Sequence, residues 1–132
     1  MIKVTGALMV IAVSFGITLF YLQRSGHVVN DCKSDDLLAL KPPFGSYGGK
    51  AFVAAFQVPD GDSTQQPKRS TIVLCEDEKR LGPGHTSHDE IRAKGLGRYS
   101  HWGFDVVFSS SDNSDPNTNH RRYSYLPIPH QQ

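Results

Sequence analysis

The stretch from Val4 to Leu22 carries no charge and constrains this chain more than any other feature. As a helix it would rise about 28 Å, close to the hydrocarbon thickness of a bilayer. Nothing after it is comparably apolar. The sequence therefore predicts one transmembrane anchor, residues 1–23, carrying a domain of about 110 residues, enough for a modest core. A cleaved secretory leader needs a basic start, a short apolar centre and a small-residue cleavage site. Lys3 supplies the first, but the run is long, and residues 22–27 offer no Ala-x-Ala pattern. Val29-Asn30-Asp31 before Cys32 does not resemble a lipoprotein cleavage box. Lys3 lies before the run and Arg24 and Lys33 after it, so the basic residues barely fix its direction. We expect the amino terminus in the cytoplasm and the domain outside, with Tyr21 at the far interface.

The net charge of +1 excludes a strong electrostatic footprint on nucleic acid, and Lys79-Arg80 and Arg121-Arg122 are isolated pairs. The 12 Gly and 8 Pro sit almost wholly after the anchor and call for many turns. Cys32 and Cys75 can pair in an oxidising compartment; two unrelated thiols are the alternative.

Residues 24–49 read as linker and extended loops, with a short apolar contact at residues 37–40. Strands are expected over residues 50–58, 70–76, 99–102, 104–109 and 121–126. Ser87-His88-Asp89-Glu90 is a capping box, predicting a two-turn helix that ends at Gly95. The expected fold is a transmembrane helix plus a mainly β domain over residues 50–126, a small β-sandwich or jelly-roll-like barrel with one short helix. Residues 127–132 form an extended tail, because Pro127 and Pro129 cannot donate to a ladder.

Four groups of residues could carry chemistry. Asp112, Asn113, Asp115 and Asn119 lie in a polar loop that resembles the start of a calcium loop. The EF-hand pattern fails, since Thr118 and Ser124 stand where Gly and Glu belong. A calcium site of another kind remains open beside the plainer reading of self-bonded Asx turns. His85, His88 and His101 could ligate zinc, but no His-Glu-x-x-His helix accompanies them. Gly61-Asp62-Ser63 lacks the Asp-x-x-His partner and the βαβ frame of the esterases it superficially matches. Tyr99 and Trp102, with Asp112, Asn113, Asp115 and Asn119, could form a sugar-binding face, although core packing is favoured for Trp102.

A broader pattern joins these groups. Asp62-Ser63, Pro67, Arg69-Ser70, Leu81-Gly82-Pro83, His85, His88, Ile91-Arg92 and Gly95 precede Gly97-Arg98-Tyr99-Ser100-His101-Trp102-Gly103. Phe108-Ser109, then Asp112 through Asn119, Arg121 and Tyr123 complete it. This stretch resembles a small bacterial module associated with cell-envelope and polysaccharide-related proteins, sometimes next to sugar- or methyl-transferring domains. Cys75 and His120 depart from it, where an aromatic and a glycine are expected. The module has no assigned activity, so the resemblance implies a fold and a setting. Taken with the apolar run and its expected direction, a cell-envelope setting leads to the expectation of a bacterial inner membrane, crossed once, with the domain on the periplasmic side.

Arg69, His88, Arg92, Arg98, His101 and Arg121, with Asp62, Asp112 and Asp115, are too many polar groups for a plain surface. The expectation is a partly buried polar network in which Arg98 and His101 meet the Asp112–Asp115 loop; a ligand cleft made from the same groups is the alternative. The residue types point away from an enzyme. The leading functional expectation is a non-enzymatic accessory subunit of a larger membrane complex. A cell-envelope carbohydrate-binding module is the second, with a glycan as partner. A metal-dependent hydrolase using His85, His88, His101 and Asp112 is the third.

Overall fold

The computed structural model describes residues 31–129. The apolar run at 4–22, and with it the expected anchor, lies outside the described residues. Among those described, no helix is long and apolar enough to cross a membrane. The domain is mainly β, with two antiparallel four-stranded sheets and one short helix.

A 3-10 turn at Asp31–Lys33 comes first, followed by β1 (Leu38–Ala39), β2 (Gly45–Ser46), β3 (Phe52–Ala54), β4 (Val73–Glu76) and β5 (Lys79–Arg80). Helix α1 (His88–Ala93) leads to β6 (Tyr99–Trp102), β7 (Asp105–Phe108) and β8 (Tyr123–Leu126). The strand orders are β1-β8-β4-β5 and β2-β3-β7-β6. Within the segment read from sequence as linker and loops, β1 and β2 each add a strand to a sheet. The structured part therefore starts well before residue 50.

The period-2 alternation of strands explains the layers. Leu74 of β4, Tyr123 and Tyr125 of β8, and Val106 and Phe108 of β7 point inward to a shared core with Leu40, Phe44 and Ala54. Phe44 stands edge-on to Phe108, with ring centroids 5.1 Å apart. The alternate positions are buried as well. Val73 and Cys75 pack under Cys32, Leu37 and Leu126 on the back of the first sheet. Val107 packs under Ala51 and Ile91 of α1 on the back of the second. This is why Val73-Leu74-Cys75-Glu76 is buried throughout and shows no polar face.

The two cysteines are bonded, with Cα atoms 5.7 Å apart. The bond fastens the 3-10 turn to the middle of β4. Helix α1 starts as its capping box requires, with Ser87 Oγ accepting from the Glu90 N–H. Gly95 follows it with φ +62°, the left-handed geometry of a helix-ending glycine.

Candidate functional site

The site expected at the 112–119 loop is consumed by the loop itself. Asp112 Oδ1 accepts from Ser114 N–H and Oγ, and Arg121 grips both carboxylate oxygens. The hydrogen bonds from Arg121 hold the Asp112 carboxyl well below the usual carboxylate range. Asn113 Oδ1 accepts from Leu96 N–H, and Asp115 Oδ1 from Asn117 N–H. Asn119 donates to Ser114 Oγ and to the Tyr123 hydroxyl. These are Asx turns and loop pins. Among the described residues, no group of three or more His, Cys, Asp or Glu is placed to hold a metal ion.

The expected convergence of Arg98 and His101 on this loop is corrected. Arg98 donates to Gly95 O at the end of α1, and its Nε lies 3.6 Å from Glu90. His101 is 2% exposed and sits on the far side of β6, where both ring nitrogens are taken. Charge satisfaction falls instead to Arg121 and to Glu76, a carboxylate the sequence reading passed over. Glu76 is 3% exposed and accepts from Ser111 N–H, Ser111 Oγ, Arg121 Nη1 and the Tyr123 hydroxyl. Burial pushes the Tyr123 phenol up to about 12. A charge closing the apolar run Val73-Leu74-Cys75 was the one sequence signal for this residue.

The other network residues are scattered. Arg69 pairs with Asp60 at the surface. Arg92 lies 4.6 Å over the Tyr47 ring, donates to Tyr47 O and pairs with Asp89. His88 Nδ1 is 3.2 Å from the Tyr47 hydroxyl, and burial followed by Arg92 lowers its pKa. His85, His88 and His101 therefore engage three different partners and are not grouped as a set of three metal ligands.

What the fold does assemble is a cleft of about 630 Å³ whose lining includes Asp62, His85, Ser87, Tyr47 and Trp102. Its placement starts at Gly61. A Cβ there would lie 2.5 Å from Gly103 O and 2.6 Å from Gly103 N, so only glycine lets residues 61–62 run against the edge of β6. Asp62 N–H then donates to His101 O, and Gly103 N–H donates to Asp62 O. This buries the Asp62 side chain to 3% exposure. Asp62 Oδ1 accepts from Ser70 N–H at 2.8 Å, and Oδ2 meets His85 Nδ1 at 2.5 Å. The carboxylate is the acceptor, so His85 carries its proton on Nδ1. His85 holds φ at +53°, in the left-handed region, as do six other non-glycine residues among those described.

Behind Asp62 lies a second pair. His101 Nε2–H donates to Val58 O, which leaves Nδ1 to accept from Ser70 Oγ at 2.6 Å. Burial lowers the His101 pKa. This pair is sealed in the core and supports Asp62 from below.

Two sequence expectations about aromatics change places. Trp102, favoured for the core, is 43% exposed beside the cleft. It ends β6 facing solvent because the inward positions of that strand go to Tyr99 and His101. Tyr99, expected on a ligand face, is 7% exposed and donates its hydroxyl to Ile72 O. Sequence reasoning named Asp62 and His85 separately and missed their pairing, which 22 intervening residues conceal.

No family model, curated protein or solved structure matches the chain. The resemblance of Asp62 to Tyr123 to a bacterial envelope module thus stands on its residues alone.

Proposed function

We propose that this protein is a membrane-anchored, non-enzymatic accessory subunit of a larger membrane complex on the outer side of a bacterial inner membrane. The uncharged run from Val4 to Leu22 supports the anchor. One observation carries the docking role. Phe56 and Phe104 are 84% and 60% exposed. They stand together where β3 ends and the β6–β7 hairpin turns, since Phe56 N–H donates to Asp105 and Val58 N–H donates to Phe104 O. Covering two such rings with a partner is worth about 2 kcal/mol each. Size analysis of the full chain, extracted from its native membrane in mild detergent, tests the reading. The parent should travel in an assembly far larger than itself, and a Phe56→Ser, Phe104→Ser variant should travel alone. A parent that already travels alone would end this reading.

A second reading is a carbohydrate-binding module of the cell envelope. The half-exposed Trp102 beside the cleft that Asp62, His85 and Ser87 help to line favours it.

A further inference from the structure

The chemistry of the Trp102 cleft is narrower than its outline. His85 Nδ1 is committed to Asp62. In the neutral ring, Nε2 is then an acceptor with no proton of its own. The His85 side chain is 40% exposed, and among the described residues Nε2 has no hydrogen-bond partner. Asp62 cannot turn to a ligand, because its side chain is 3% exposed and both oxygens are occupied. Arg92, which lies over the ring of the lining residue Tyr47, is held by Tyr47 and Asp89. Among the described residues that line the cleft there is no Lys or Arg, and the one carboxylate is occupied. The cleft offers an indole face, the His85 imidazole as acceptor and the Ser87 hydroxyl, beside a Tyr47 hydroxyl already paired with His88. A flat apolar face beside a fixed acceptor suits one ligand chemistry well: a pyranose, with C–H bonds on one face and O–H donors at its rim.

We infer that the cleft binds a neutral sugar unit, stacked on Trp102, with one sugar hydroxyl donating to His85 Nε2. Asp62 is a positioning residue that fixes the tautomer and the direction of the imidazole. The inference rests on the carbohydrate reading and moves its site from the 112–119 loop to the cleft.

The protein has one tryptophan, so its own emission reports stacking on Trp102. The full chain, in a detergent without a sugar headgroup, is titrated with neutral hexasaccharides of glucose, mannose and N-acetylglucosamine, and with an oligogalacturonate. Calorimetry follows the variants that lack the indole. At least one neutral sugar should shift the emission saturably. His85→Phe keeps a ring but loses the acceptor, and should weaken binding about tenfold, the value of one good hydrogen bond. Trp102→Ala should weaken it at least as much, and its exposure makes a folding defect no obstacle. Binding that survives both changes but fails in Asn119→Ala overturns the cleft and keeps the carbohydrate reading. Preference for the oligogalacturonate overturns the neutral ligand. No binding by any sugar at millimolar concentration overturns the inference and the carbohydrate reading together.

Discussion

Arg121 clamps Asp112 with both terminal nitrogens, Nη1 to Oδ1 at 3.0 Å and Nη2 to Oδ2 at 2.8 Å, while Nη1 also lies 2.9 Å from Glu76 Oε1. One guanidinium thus joins an exposed loop carboxylate to a buried strand carboxylate. The two acids are not equivalent. Asp112 has a side chain 53% exposed and Glu76 one of 4%. Water can replace the partners of the first, whereas the second would leave buried donors bare.

Thermal melts should therefore separate them. Glu76→Ala strands Ser111 N–H, the Tyr123 hydroxyl and one side of Arg121, and should cost on the order of 3 kcal/mol. Asp112→Ala and Asp115→Ala should each lower the midpoint by much less, since exposed pairs and Asx turns exchange readily with solvent. Equal shifts for Glu76→Ala and Asp112→Ala would contradict the burial argument.

Acid should destabilise the domain through its histidines. Burial lowers the folded-state pKa of His101, although the Val58 carbonyl and the nearby Asp62 and Asp60 oppose it. His88 is lowered too, by burial and then Arg92. Between those depressed values and the ordinary 6.5, the unfolded chain binds more protons than the folded one. Stability then rises with pH across that window and is lost as pH falls through it. Midpoints measured from about pH 7.5 down to about pH 5 should drop. His101→Gln, which cannot titrate, should flatten the drop while lowering stability at neutral pH. A parent whose midpoint holds steady to about pH 5 would contradict the placement of His101.

The strands richest in aromatic and β-branched residues were legible. Tyr99–Trp102 stands where alternation put it, and β7 and β8 lie within the expected segments, as does helix α1 behind its capping box. These signals are local, so one stretch of sequence suffices to show them. β1 and β2 were not legible, because two-residue strands have no period and exist only through pairing with β8 and β3. The site failed for a related reason. His85 and Asp62 meet because Gly61 lets one loop approach the edge of β6 while a second loop holds His85 at positive φ. Neither loop announces the other. The exposure of Trp102 follows from which face of β6 the core claims, and that is a tertiary outcome.

The Cys32–Cys75 bond spans a sequence separation of 43. Loop-closure entropy assigns such a cross-link about 4 kcal/mol. The bond also holds the 3-10 turn over Val73 and Leu126, an apolar patch that would otherwise face water. Urea unfolding with and without reductant should show the midpoint falling accordingly, and Cys32→Ser with Cys75→Ser should match the reduced parent. An unchanged midpoint would show that β4 needs no staple.

Gly61→Ala isolates the backbone contact that builds the cleft. The new Cβ would lie 2.5 Å from Gly103 O and 2.9 Å from the His101 ring. The first is backbone and cannot swing aside, so residues 61–62 must lift from β6. Asp62 N–H then loses His101 O, and the Asp62 carboxylate moves off Ser70 and His85. The expected loss is about 2 kcal/mol, the range for overpacking and strain at a tight site. It should come with faster exchange of the Ser70 amide, whose proton Asp62 accepts. Gly103→Ala is the matched control. Its Cβ would meet nothing within 4 Å, so only the strain of φ +60° acts there. Its penalty should be smaller, with the Ser70 amide still protected. If Gly61→Ala leaves that amide protected, the segment has another route against β6, and the carboxylate does not depend on the glycine.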